Sequence, residues 1–96
     1  MKIEKIVDGD SLTLVLEGWL DTQAAPELEK MVNDISDDIK AVVFDCEKLE
    51  YISSSGIRQI VAAHKKVNGN FKLKNVSPEI MDILKMTGIA NKVKME

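Results

Sequence analysis

Ala41-Val42-Val43-Phe44-Asp45 and, further along, Ser53-Ser54-Ser55-Gly56-Ile57 are the stretches on which the fold turns. The first is a short continuous apolar run, the pattern of a strand covered on both faces. After the serines, Ile57, Ile60, Val61, His64 and Val67 recur at helical spacing, so a helix starts directly at the hydroxyls. Between them, Asp45 to Ile52 is expected to be a loop, with Asp45 ending the strand or capping it locally. Asn68-Gly69-Asn70 stops the helix.

Towards the N-terminus, residues 2–7 and 11–17 have the pattern of two strands joined by Asp8-Gly9-Asp10, a strong hairpin signal. Leu12, Leu14 and Leu16 alternate with Thr13, Val15 and Glu17, giving one fully apolar face. Gly18-Trp19-Leu20-Asp21 is expected to turn the chain into a helix whose stripe is Ala24, Ala25, Leu28, Met31, Val32 and Ile35. Asp21 or Thr22 can cap that helix, and Pro26 is tolerated only in its first turn. Towards the C-terminus, residues 71–76 alternate as a further strand. Ser77-Pro78-Glu79 then starts a helix with a capping serine and a proline at its first position. Gly88 closes that helix, with Ile89 set for the hydrophobic contact of a C-terminal cap. Val93 and Met95 suit a short edge strand or a frayed tail. The order is β-β-α-β-α-β-α over residues 1–96. It predicts a single α/β domain: a mixed, largely parallel sheet with an N-terminal hairpin and about three helices.

Composition narrows the function. Ninety-six residues at 10.7 kDa, 45% apolar and 30% charged, suit one domain of roughly 5,500 Å² folded surface. Apolar runs fall far short of the ~20 residues that span a bilayer, so no membrane insertion is expected. A single cysteine, Cys46, excludes an internal disulfide framework and suits a reducing, cytoplasmic setting. With one histidine as well, a zinc site of Cys and His is out of reach. The net charge of −3 and scattered basic residues give no footprint for nucleic acid. No helix carries a second apolar face, so a monomer is expected.

Chemistry concentrates at residues 51–58. First-turn amides have no partner within a helix, and the helix dipole adds partial positive charge there. Ser53, Ser54 and Ser55 stand at such an end, where an attached phosphate, carrying roughly −1.5 to −2 charge, is stabilised. Alternatively, one serine caps the helix and the others solvate a tight turn. A catalytic dyad fails, because Ser54 and His64 are ten residues apart on one helix, about 15 Å. His64 and Cys46 are expected as core members, and the five glycines each fall at a separate turn rather than in a nucleotide loop. Neither an enzyme nor a cofactor is therefore expected. Trp19 is expected to pack on the first helix, or else to anchor a partner. Met31, Met81 and Met86 fall on core stripes, and Lys72 and Lys74 on a solvated strand edge.

Four segments together resemble the STAS domain of bacterial anti-sigma factor antagonists. They are Leu16 to Asp21 with its G-x-L-D turn, Val42 through Gly56, Asn75 to Pro78, and Met86-Thr87-Gly88-Ile89. In that family the serine after a loop aspartate is phosphorylated by an anti-sigma factor that is itself a serine kinase. The unphosphorylated form binds this partner and frees a sigma factor, and a metal-dependent serine phosphatase resets the switch. The resemblance implies Ser54 as acceptor ahead of Ser55 and Ser53. It also implies a partner surface of Asp21, Ser53, Ser54, Ser55 and Gly56 with the exposed side of the next helix, Arg58, Gln59 and Ala62. Ser53 stands where the family has its aspartate. Similar stand-alone domains also serve as accessory subunits of lipid-trafficking ABC transporters, docking on the ATPase, and this is the alternative role.

Overall fold

The chain folds as its hairpin and helix signals require, but β2 and β3 run further than their apolar patterns, and β4 stops at Lys74, two residues short of the expected strand. The computed structural model describes Met1 to Glu96. In order, it contains β1 (Lys2–Asp8), β2 (Ser11–Leu20), α1 (Ala25–Asn33), β3 (Ala41–Ile52), α2 (Ser54–Lys66), β4 (Phe71–Lys74), α3 (Pro78–Met86), a 3-10 turn (Ile89–Asn91) and β5 (Lys94–Met95). Gly9, at φ 63°, is the first of two residues linking β1 to β2, as a type II′ hairpin turn demands. Ser77 accepts a hydrogen bond from the Ile80 amide and caps α3. Gly88 at φ 80° stands between the end of α3 and the 3-10 turn, and Ile89 is buried behind it.

The five strands lie in sequence order, β1 antiparallel to β2 and the rest parallel. Each crossover therefore steps one place in the same direction. Right-handed crossovers of that kind put α1, α2 and α3 on one face of the sheet. Burial follows. Leu12, Leu14, Leu16, Val42, Phe44, Cys46, Phe71 and Leu73 point into a single core of 23 buried residues. Thr13, Val15, Ala41, Val43 and Asp45, which alternate with them, are only half-buried. The expectation of a strand covered on both faces fails. Ala41 and Val43 look apolar in sequence but stand on the uncovered side.

Four further expectations are corrected. Asp45 to Ile52 is not a loop, and Gly18-Trp19-Leu20 is not a turn; both continue their strands. The β2–β3 register shifts between Val15 and Glu17 and again between Gly18 and Trp19. On β3 the buried residues then space out to Cys46, Leu49 and Ile52. Bulges of this kind re-aim side chains and hide the period of two that a strand otherwise displays. Met86 is 87% exposed rather than a core member, because it lies on the solvent side at the end of α3. Lys72 stands on an inner strand, since β5 pairs alongside, and it bonds Glu96 at 2.6 Å. The accessible surface is 5682 Å². No helix is long and apolar enough to cross a membrane.

Candidate functional site

The C-terminal ends of β2 and β3 bring the sequence-predicted residues together. Leu20 and Ile52 are paired neighbours, and the Ser53 amide donates to the Leu20 carbonyl at 2.9 Å. Asp21 and Ser53 thus leave the sheet side by side. Asp21 does not cap α1 itself. Its Oδ1 accepts from the Gln23 and Ala24 amides at 3.1 and 2.9 Å, holding the turn that leads into the helix. Pro26 sits in the first turn of α1, where its missing donor costs nothing.

The three serines have three different environments. Ser53 is the N-cap of α2, and its Oγ accepts from the Gly56 amide at 3.3 Å. Serine and aspartate are equally good N-caps, so Ser53 fills the capping role open to an acid while adding no charge. Ser54 is the first residue of α2 and is exposed. Ser55 is half-buried and faces a shallow depression between α1 and α2. The amides of Ser54 and Ser55 lie in the first turn and have no partner within the helix. The first turns of α1 and α3 contain Glu27 and Glu79, whereas that of α2 contains no acid. The positive end of α2 is left uncompensated.

Gly56 is a packing residue. A Cβ at that position would stand 2.7 Å from Leu20 Cγ and 2.9 Å from Ile52 Cγ1, both in the core. The absence of a side chain lets α2 begin directly on the strand ends.

The depression of about 270 Å³ is lined by Thr22, Ala25 and Glu29 on one wall and Ser55, Arg58 and Gln59 on the other. Arg58 is exposed, as expected. Gln59 is not: it is 8% exposed and forms part of the floor, and Ala62 is half-buried. The reason is that α2 packs against α1 as well as the sheet, which covers the side expected to be free. Thr22, expected only as a possible cap, and Glu29 were not expected at the site, because only the packing of α1 on α2 sets them beside Arg58.

Trp19 is 57% exposed; its ring lies 5.2 Å from that of Tyr51, and it borders a shallow depression shared with Ala24 and Glu27 at the start of α1. Cys46 is buried, and burial, aided by the Asp45 charge, pushes its thiol up to about 12. It is no nucleophile at neutral pH. Asp45 accepts from the Glu47 amide and from Asn75 Nδ2, both at 3.1 Å. His64 is half-buried with its ring edge-on to Phe71 at 6.2 Å, at the opposite end of α2 from Ser54.

The fold recurs in solved structures. An anti-sigma factor antagonist from Mycobacterium paratuberculosis superposes with a TM-score of 0.86 at 20% identity, over 98% of this chain and 83% of that one. The phosphorylated form of the Bacillus cell fate determinant SpoIIAA gives 0.75 at 16% identity, over 99% and 91%. A sulfate transporter family protein from Wolinella succinogenes gives 0.74 at 16%, over 91% and 74%. At these identities the likeness is one of fold. The family model of the STAS domain matches residues 2–96. The chain belongs to the STAS domain family.

Proposed function

We propose that this chain is a phospho-switchable binding module, an anti-sigma factor antagonist of the bacterial cytoplasm with no catalytic role of its own. Unphosphorylated on Ser54, it binds an anti-sigma factor with serine kinase activity and so releases a sigma factor; a serine phosphatase reverses the modification. The observation that carries this reading is the division of labour among the serines. Ser53 spends its hydroxyl on the cap, Ser55 turns to the depression, and Ser54 alone is exposed at an uncompensated helix start. Asp21, Ser53, Ser55, Gly56, Arg58 and Gln59 form the rest of the proposed contact region.

The switch is local electrostatics. A phosphate on Ser54 is tolerated in the free protein by the first-turn amides. In a complex it must be desolvated close to Asp21, and the cost falls on the bound state. A penalty of ~3 kcal/mol weakens binding about 150-fold. The test is an affinity capture from host lysate with wild-type and Ser54→Asp baits, followed by incubation of the captured kinase with ATP. Capture by the wild type alone, with phosphate mapped to Ser54, supports the proposal. Equal capture by both baits sinks it.

The neutral Ser53 favours a second reading, in which the same surface docks without phosphorylation as the accessory subunit of a lipid-trafficking ABC transporter. Recovery of an ATPase by both baits would select it.

A further inference from the structure

Arg58 is the chain's only arginine, and it stands one helical turn past the serines. Residues four apart on a helix are neighbours, with their Cβ atoms about 5–6 Å apart. At 3.6 residues per turn, Arg58 projects about 40° round the axis from Ser54 and about 60° from Ser55. Long helical side chains also lean back towards the N-terminus, over the turn before their own Cα. The guanidinium therefore reaches over the first turn of α2.

Nothing in the chain engages that guanidinium. Arg58 is exposed, and the chain's two ion pairs are Lys48–Glu17 and Lys72–Glu96. Two acids stand on the α1 side. Asp21 Oδ1 is already bonded to the Gln23 and Ala24 amides, and Glu29 lines the depression with Arg58 without pairing to it. The other cations of α2, Lys65 and Lys66, lie in its last turn.

We propose that Arg58 is the phosphate-binding residue of the phosphorylated form, its guanidinium closing on a phosphate carried by Ser54. The inference rests on the reading of Ser54 as acceptor and adds what receives the modification. An acid N-terminal to a base four residues on is the favourable order along a helix. The planar fork of arginine can meet two phosphate oxygens in parallel N–H···O bonds, which a lysine cannot do. No bond within the chain has to break first. A dianion fixed on the same helix also outcompetes Glu29, a single charge held on another element. Phosphorylation thereby occupies the one cation of the proposed contact region.

A phosphorus-31 magnetic resonance titration tests this on the full chain, with phosphoserine installed at position 54 during translation so that no kinase is needed. The second ionisation of such a phosphate lies near pH ~6 when unperturbed, and a bonded cation favours the dianion and lowers it. Arg58→Gln should raise the midpoint by about 0.5 in pH, the modest shift suited to an exposed pair. Arg58→Lys should raise it by less, since it retains the charge without the fork. The difference should shrink at about 1 M salt, where the Debye length is ~3 Å. Lys65→Gln removes one charge from the same helix about 16 Å away and should leave the midpoint unchanged. Both positions are exposed, and circular dichroism verifies the fold of each variant. An Arg58→Gln midpoint equal to that of the wild type overturns the proposal. So does a shift of the same size in Lys65→Gln, which would mean that net charge alone sets the midpoint. Transfer of phosphate by the captured kinase to a different serine would sink the acceptor reading instead, whatever the titration shows.

Discussion

Gly56 illustrates how one missing side chain is set by its neighbours. Alanine is the better helix former by about 1 kcal/mol, which alone would favour the substitution. Against that, its methyl would meet Leu20 and Ile52 at under 3 Å, and overpacking of this kind costs about 1–3 kcal/mol. Gly56→Ala is expected to lower stability by up to about 2 kcal/mol, read as a drop in urea midpoint; a rise would show that the core has slack there. Cys46 gives a second residue-scale test. Its thiol stays protonated in the folded state up to about 12 but ionises from its ordinary value of 9.0 once unfolded. The unfolded state therefore loses its proton first, and stability is full below pH 9 and falls as pH rises towards 12. The loss is on the order of 4 kcal/mol at the top of that window. Cys46→Ala should flatten the alkaline limb of a stability–pH curve. An unchanged limb would place the effect on other groups.

At the scale of elements, the start of α2 separates what a charge does to the free protein from what it does to a complex. Ser54 occupies the first helical position, with no acid in the turn. A carboxylate there interacts favourably with the helix dipole, by about 0.3–1 kcal/mol at low salt. Ser54→Asp should therefore raise the melting temperature by about 1–5 °C, with the gain shrinking as salt is added. Weaker partner binding by a more stable protein would exclude unfolding as its cause. A lower melting temperature would mean that the serine hydroxyl has a structural role.

The whole molecule has one core, to which all three helices and β2, β3 and β4 contribute buried residues, with Ile3 of β1 and Met95 of β5 packed against it. None of α1, α2, α3, β2, β3 and β4 can unfold alone without opening that core. Thermal unfolding should be a single transition, coincident by far-ultraviolet dichroism and by exchange protection of β2 and β3 amides. Leu14, fully buried at the centre, tests the linkage: Leu14→Ala should cost about 2–5 kcal/mol and shift both probes together. Separate midpoints would mean that the hairpin or α3 is an independent unit.

Local patterns in the sequence determined a good deal. The Asp8-Gly9-Asp10 hairpin, the capping serine at Ser77, the stop at Gly88 and the helix opening at the serines all follow from dihedral preferences and unpaired amides within a few residues. The β-β-α-β-α-β-α order, with right-handed crossovers, then led to the sheet. Tertiary structure decided the rest, because those features depend on partners distant in sequence. The bulges that carry β2 to Leu20 and β3 to Ile52 answer to each other's register, and no single strand displays that. Gln59 is buried by α1, Trp19 meets Tyr51 across the strands, and Val43 is left uncovered because every helix crosses on the same side. The cap of Ser53 on the Gly56 amide is as local as that of Ser77; what tertiary structure decided is the seat of α2 against Leu20 and Ile52, which the missing side chain at Gly56 allows.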